Sequence, residues 1–192
     1  MKSHNHITLL EKRVVEQCAP TLAGLKTGSL FSLRGLSSSD LFAEICELNR
    51  KFRSSGRLLI PLKKTDDFTL LYLYRPNCLR RDLQDPHAVR ILKRSGYISS
   101  DTTHCILRLT RRLREESAFP HEIGLFLGYP PKDVEGFIRD PNCAYACKGC
   151  WKVYSEPAKA EKLFKRYKQC TACYLRRIKE GSSLEQLLVS GL

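Results

Sequence analysis

The stretch Phe119–Ile138 constrains the fold more than any other part of the chain, because proline and glycine punctuate it densely. Pro120 suits the first turn of a helix, where its missing N–H is not needed. Gly128 falls where a residue at positive φ would end that helix. Pro130 and Pro131 cannot continue the same helix. Apolar residues at helical spacing resume after them, so the stretch predicts two short helices joined by a turn.

The segments before this stretch alternate between strand and helix patterns. Residues 29–33, 57–63 and 68–75 have the composition of short strands, and the polar turn at 65–67 predicts a hairpin between the last two. Pro61 places its strand at a sheet edge or at a bulge. Helices are predicted over residues 7–17, 37–52, 86–95, 102–116, about 155–180 and 182–188.

These segments together predict an α+β fold, with a small, mainly antiparallel sheet, helices packed on it and a helical C-terminal half. The length of 192 residues fits a single domain, 1–192. Within it we expect a sheet-containing part over residues 1–100 and a mainly helical part over 101–192.

Three local expectations test this interpretation. Pro20 is expected to end the first helix. Ser182 and Glu185 have the spacing of a capping box for the last helix. Cys46 and Cys105 lie on apolar helical faces and are expected to be buried.

Three motifs resemble a known family. FPHEIGLFLGYPPKDVEGFI (119–138), CAPTLAGLKTGSLFSL (18–33) and WKVY (151–154) are similar to an uncharacterised bacterial family, domain of unknown function family 3793. The likeness runs from about Cys18 to Leu188. The resemblance implies kinship over nearly the whole chain and brings with it no assigned activity or site. The motif residues that we single out are His121, Glu122, Gly124, Gly128, Trp151 and Tyr154.

The chain is strongly basic, with 33 Lys and Arg against 20 Asp and Glu, which gives a formal net charge of +13. Such an excess attracts polyanions, so the expected partners are a nucleic acid or an acidic protein. The alternative is a solvated surface that keeps the protein in solution. Two helices carry the candidate polyanion-binding residues, which are Arg108, Arg111, Arg112, Lys159, Lys162, Lys165, Arg166 and Lys168.

Sequence patterns also indicate the compartment. No apolar run is long enough to span a bilayer, and the first residues lack the apolar segment of a secretory signal. We therefore expect a cytoplasmic protein without a membrane partner. The odd number of cysteines, 9, argues against a disulfide framework.

The cysteine spacing gives the sharpest chemical signal. Cys147 and Cys150 form one C-x-x-C pair, and Cys170 and Cys173 form a second, a spacing typical of tetrahedral zinc sites. The sequence thus predicts a site with zinc as cofactor, whose thiol pKa values nearby lysines would lower. An iron–sulfur cluster that also uses Cys143 is an alternative. The other alternative is that these cysteines are ordinary core and surface thiols.

The central stretch admits a further interpretation. Gly124, Gly128 and Val134 have the spacing of a helix-turn-helix motif, which with the basic charge favours DNA binding. Asp133 and Glu135 make the second helix a poor groove-reading face. The alternative is a helical hairpin packed against the sheet.

Catalytic patterns are weak. His121 and Glu122 could form an acid–base pair, although a helix start more often uses such residues as caps. Trp151 and Tyr154 are expected on one strand face, for core packing or for base stacking. No nucleophile–base pair or phosphate loop is recognisable. The sequence therefore favours a non-enzymatic binding or accessory protein with a basic surface, and the alternative is a cysteine-ligated zinc or iron–sulfur protein with a structural or redox role.

Overall fold

In the computed structural model of the protein, which describes residues 7–99 and 101–188, backbone contacts group the chain into two units. Unit 1 comprises Met1–Arg75 with Tyr167–Leu192, and unit 2 comprises Pro76–Arg166. This boundary does not coincide with the predicted division at residue 100. The single-domain organisation stays a prediction.

Unit 1 is built on an antiparallel sheet of β1 (Gly28–Leu33), β2 (Leu58–Lys64) and β3 (Thr69–Tyr74), in the order β1-β3-β2. The central strand β3 is buried along its whole length, as its run of leucines and tyrosines demands. The β2–β3 register shifts between Pro61 and Lys63. Pro61 thus lies in an edge strand at a bulge, as predicted, which is a position that tolerates proline.

Helices pack on this sheet through their apolar faces. They are α1 (Leu9–Leu22), α2 (Ser38–Phe52), the C-terminal part of α8 (Pro157–Lys179) and the single turn α9 (Leu184–Leu187). A short 3-10 turn, Arg53–Ser55, follows α2. The core that they share with the sheet includes Phe31, Leu48, Leu73, Tyr174 and Leu187.

Three local expectations in unit 1 are wrong. Helix α1 continues through Pro20 to Leu22, because burial of its last turn offsets the backbone bond that Pro20 cannot make. The capping box of α9 uses Ser183 and Gln186, one residue later than expected, since Ser183 is the residue with extended backbone. Cys46 is exposed on α2, whose buried stripe runs through Leu41, Ile45 and Leu48 instead.

Unit 2 consists mainly of short helices. In chain order they are α3 (Pro76–Leu83), α4 (Pro86–Arg94), α5 (Thr102–Glu115), α6 (Ile123–Phe126) and α7 (Pro131–Arg139), then the ribbon of β4 (Cys147–Lys148) and β5 (Lys152–Val153), and the start of α8. Helix α3 was not predicted from the sequence. Cys105 is buried on α5, as expected.

The predicted α+β class is confirmed, with small antiparallel sheets and a mainly helical C-terminal half. Across residues 7–99 and 101–188, no helix combines the length and the apolar character needed to cross a bilayer.

Replacing Gly128 tests the turn between α6 and α7. Gly128 has φ +74, as predicted, and a Cβ atom is strained in that conformation. We expect Gly128→Ala to lower the free energy of unfolding by about 1 kcal/mol or more. Gly128→Asn is the control, because asparagine tolerates positive φ better and should cost less. Equal urea midpoints for both variants and the parent would contradict this assignment.

The buried thiol of Cys18 predicts a dependence of stability on alkaline pH. Burial raises its pKa from 9.0 to about 12. Between these values the unfolded chain releases the proton and the folded chain keeps it, so the free energy of unfolding falls as pH rises. The contribution approaches about 1.4 kcal/mol per pH unit. Urea unfolding from pH about 8 to about 11 should show a shallower slope for Cys18→Ala and an unchanged slope for the exposed-thiol control Cys46→Ala. Equal slopes for Cys18→Ala and the parent would rule out a shifted Cys18.

Candidate functional site

The helices α6 and α7 form a tight hairpin at the centre of unit 2. Helix α6 is a single turn, and the backbone then reverses at Gly128 and Pro130 before α7 begins at Pro131. A Cβ atom on Gly124 would lie 2.8 Å from Cγ2 of Val134, so the hairpin closes over a position where a side chain does not fit. The family-motif glycines therefore serve close packing and chain reversal.

Asp133 ties this hairpin to the segment that precedes α8. The residue is 2% exposed, and among the described residues four donors converge on its carboxylate. The indole Nε1 of Trp151 donates to Oδ2 at 2.8 Å. The backbone N–H groups of Tyr154 and Ser155 and the hydroxyl of Ser155 donate to Oδ1, each at 2.9 Å. These bonds replace the water that the buried carboxylate gives up.

Glu122 is a second buried carboxylate, 3% exposed, and it holds the hairpin to α5. Its Oε1 accepts a hydrogen bond from the Tyr97 hydroxyl at 2.9 Å and one from Nη1 of Arg112. Arg112 also binds the carboxylate of Glu116 through Nε and Nη2. Burial, followed by the Glu122 charge, raises the pKa of Tyr97, so the phenol stays protonated as a donor. Glu122 therefore has a structural role in this arrangement.

A cavity of about 380 Å³ opens beside the hairpin, wholly within unit 2. Its wall contains the rings of Phe119, His121, Tyr129, Phe137 and Trp151. Tyr129 stacks on Trp151 with centroids 4.7 Å apart, and the His121 ring meets Phe137 edge-on at 4.9 Å. Aromatic and aliphatic walls of this size are typical of small-molecule sites.

Polar groups at the cavity are few. Asp133 contributes to the lining, but both its oxygens accept hydrogen bonds from the protein. The Lys152 ammonium lies 5.6 Å from the Phe137 centroid and 5.1 Å from the Tyr145 centroid, and it donates to the carbonyl of Pro141 at 2.6 Å. The exposed Cys150 contributes to the lining, and its carbonyl accepts a bond from the Tyr129 hydroxyl at 3.0 Å. Lys152 therefore supplies a positive charge and N–H donors beside the aromatic wall.

Glu135 joins α7 to α4. Its Oε2 lies 2.6 Å from Nε2 of His87, and its Oε1 accepts from Nη1 of Arg94 at 3.0 Å. The hydrogen bond to His87, together with the charges of His87, Arg94 and Arg90, lowers the pKa of Glu135. Glu135 is thus engaged within unit 2, and Asp133 is buried, so neither belongs to an open groove-reading face. The DNA-reading interpretation of the hairpin stays a prediction.

The structure divides the predicted polyanion-binding residues into two groups. On α5, Arg111 pairs with Glu115 at 2.8 Å, whereas the side chain of Arg112 is 17% exposed because Glu122 and Glu116 draw it inward. Arg108 is half-buried. The α8 residues are all exposed, and they are Lys159, Lys162, Lys165, Arg166 and Lys168.

The cysteine pairs belong to different units. Cys147 lies on β4 and Cys150 in the turn before β5, both in unit 2, and Cys170 and Cys173 lie on α8 in unit 1. Within the part of the chain that the structure describes, no three His, Cys, Asp or Glu side chains gather into a group that could hold a metal. The zinc site stays a prediction.

The expected lowering of the thiol pKa values is wrong for two of these cysteines. Burial raises the pKa of Cys170 to about 11. Loss of water, with the charges of Glu161 and Asp133, raises the pKa of Cys147. The neighbouring lysines do not offset these effects, so both thiols are protonated at neutral pH.

The expectation that Trp151 and Tyr154 share a strand face is also wrong. Strand β5 spans Lys152–Val153, so the two residues flank it. Trp151 packs on Tyr129 and meets Phe164 edge-on at 4.6 Å, whereas the Tyr154 ring covers Gly136. Core packing therefore accounts for both rings in this structure.

Asp133 is the residue that sequence reasoning missed. Asp133 lies in the first turn of α7, where an acidic residue is commonly exposed and stabilised by the helix dipole. The available signal was the WKVY segment, where an indole N–H and successive backbone N–H groups require an acceptor once they are buried.

Substituting Asp133 tests its role in holding the site. Asp133→Ala leaves several buried donors without an acceptor, and we expect the free energy of unfolding to fall by about 3 kcal/mol or more. Trp151 is the single tryptophan of the chain, so its fluorescence reports both unfolding and the loss of local order. Glu161→Ala removes an exposed carboxylate of the same unit, and its expected effect is about 0.5 kcal/mol or less. Similar effects of the two variants would contradict the assignment.

Comparison with known proteins gives one relationship. Neither the curated proteins nor the solved structures contain a match to the chain. Residues 14–188 match a protein-family model whose description is "Protein of unknown function (DUF3793)". This match covers nearly the whole chain and includes the hairpin, Asp133 and the WKVY segment. The chain therefore belongs to the DUF3793 family.

Proposed function

We propose that this protein is a non-enzymatic binding or accessory protein that binds polyanions, with nucleic acid as the expected class. The proposal places binding on the basic side of α8, which we define as Lys159, Lys162, Lys165, Arg166 and Lys168. The observation that carries it is the exposure of these cations along one helix. A polyanion gains affinity by displacing its counterions with such cations.

Helical geometry supports a common face. Each residue turns an α-helix by about 100°, so the five cations fall within about half of the circumference of α8. The buried residues Tyr167 and Tyr174 fall in the opposite half. Glu161 lies on the basic side and lowers its charge somewhat. The helix therefore presents a mainly positive ridge, on the side opposite its packed face.

The cations of α8 are also less engaged than those of α5. Among residues 7–99 and 101–188, Lys162, Lys165, Arg166 and Lys168 have no ion pair, and Lys159 has a pair with Glu156 at 3.2 Å. Arg111 and Arg112 are held by glutamates. An ion pair must be broken or shared before its cation binds a phosphate, so α8 supports the proposal better than α5.

Zinc bound by Cys147, Cys150, Cys170 and Cys173 is the second candidate, and the tight turn after β4, which contains Cys150, favours it. Metal ligation needs thiolates, so binding would release protons from thiols whose pKa values are raised. Elemental analysis of anaerobically purified protein distinguishes this candidate, since a structural or redox metal protein would contain stoichiometric zinc or iron.

Salt dependence tests the polyanion proposal. We expect weak retention on heparin or DNA at about 50 mM salt, and a plot of log K against log salt with a slope set by the number of phosphates contacted. Lys162→Gln, Lys165→Gln and Arg166→Gln combined should make this slope shallower by about 2 to 3. Fluorescence anisotropy of a labelled oligonucleotide over a salt series measures it.

A charge-matched control distinguishes binding by the basic side of α8 from a general effect of net charge. Arg13→Gln, Arg50→Gln and Arg81→Gln remove the same number of cations from residues that already form ion pairs elsewhere. The slope should change little in this control. Equal changes in both triple variants would show that binding follows net charge, and absence of retention by the parent would refute the proposal.

A further inference from the structure

We propose that the cavity of unit 2 is a binding site for a small planar aromatic molecule that carries one negatively charged carboxylate. This site is separate from the basic side of α8, and the family description assigns no role to it. Three features of the cavity support this proposal, namely its shape, the chemistry of its wall and the positive charge of Lys152 at its edge.

The cavity has the size and rigidity of a preformed ligand site. Its volume of about 380 Å³ lies in the range of small-molecule sites. Two of its wall residues are held in place, because Trp151 donates to Asp133 and Tyr129 donates to the carbonyl of Cys150. Beside them, Gly124 packs against Val134 and the Tyr129 ring with no room for a side chain. A ligand therefore enters a site whose wall needs little ordering, which favours affinity.

The wall selects an apolar, planar body. Rings of Phe119, Tyr129 and Phe137 border the space, and aliphatic Ile123 and Leu127 complete it. Phe119 is 50% exposed, so this ring stands at the entrance and can cover a bound molecule. Aromatic side chains pack best against another flat ring, edge-on or in an offset stack.

The charge of the cavity selects an anion. Asp133 is 2% exposed and its oxygens accept hydrogen bonds from Trp151, Tyr154 and Ser155, so a ligand has little direct access to this carboxylate. Lys152 lines the same cavity, and its ammonium has three N–H donors, of which one reaches the Pro141 carbonyl. The other donors can bind a carboxylate with a charge-assisted bond.

The cation–π contacts of Lys152 place this charge beside the aromatic wall. Its ammonium lies 5.6 Å from the centre of the Phe137 ring, which is itself part of the cavity. A molecule whose flat body contacts Phe137 therefore brings a carboxylate on its edge within reach of Lys152. The expected ligand is a free aromatic carboxylate of about the size of cinnamate.

Calorimetric titration with three probes of matched shape tests the inference. Cinnamate carries the carboxylate, cinnamamide is its neutral counterpart, and cinnamylamine is cationic. We expect cinnamate to bind about tenfold or more tightly than cinnamamide, and cinnamylamine to bind least. Equal affinities for cinnamate and cinnamamide, tighter binding of cinnamylamine, or no binding of cinnamate would overturn the proposal.

Two lysine variants locate the charge. Lys152→Met keeps the apolar stem and should reduce cinnamate affinity to that of cinnamamide, while cinnamamide affinity stays the same. Lys148→Met is the matched control, because Lys148 lies opposite Lys152 in the β4–β5 register, is exposed and does not line the cavity. Equal losses in both variants would show a general charge effect and would overturn the role of Lys152.

A blocking variant locates the body of the ligand. Leu127→Trp fills the cavity and should abolish binding of both cinnamate and cinnamamide, provided that its unfolding midpoint shows a folded protein. If it does not fold, Lys152→Met still decides the charge assignment. Cinnamate binding that survives in folded Leu127→Trp would place the ligand elsewhere. Tighter binding of an acetylated peptide that ends in phenylalanine would assign the cavity to a protein partner and overturn the small-molecule assignment.

Discussion

Unit 2 depends most on the hydrogen bonds that the carboxylate of Asp133 accepts. The donors that the described residues direct at it, from Trp151, Tyr154 and Ser155, are all neutral, and they replace the water that burial removes. One side chain thereby sets the orientation of the indole, the path of the backbone before α8 and the position of α7. The cavity wall is a consequence of the same bonds, because the indole that Asp133 holds supports the Tyr129 ring.

Glu122 is the second buried carboxylate of unit 2, and its bonding differs from that of Asp133 because a cation takes part. Its partner Arg112 is charged, and the same guanidinium also binds Glu116, so three side chains form one network between α5 and the hairpin. This network explains why a high net charge is a poor guide to binding residues. A cation that satisfies a buried carboxylate is part of the fold, whereas the exposed cations of α8 hold no buried carboxylate among residues 7–99 and 101–188. The charge of this protein therefore divides into a structural part and an available part.

Local signals predicted much of the backbone but little of the site. Pro61 and Gly128 each impose one backbone conformation, so their places at an edge strand and at a helix end followed from chemistry alone. Pro20 shows the limit, because tertiary packing kept it within a helix. Asp133 and Arg112 were misjudged for a shared reason. Helical periodicity says which face a residue occupies, but a buried polar partner far along the chain decides whether that residue turns inward.

The division of the chain into units has a consequence for biosynthesis. Unit 1 is discontinuous, since its two segments are separated by the whole of unit 2. Its sheet can pair once residue 75 has left the ribosome, but its core also needs Tyr174, Leu184 and Leu187. Unit 2 is contiguous, and its residues are complete earlier. During translation, the sheet of unit 1 must therefore wait with part of its apolar surface uncovered, until a segment made after unit 2 closes its core.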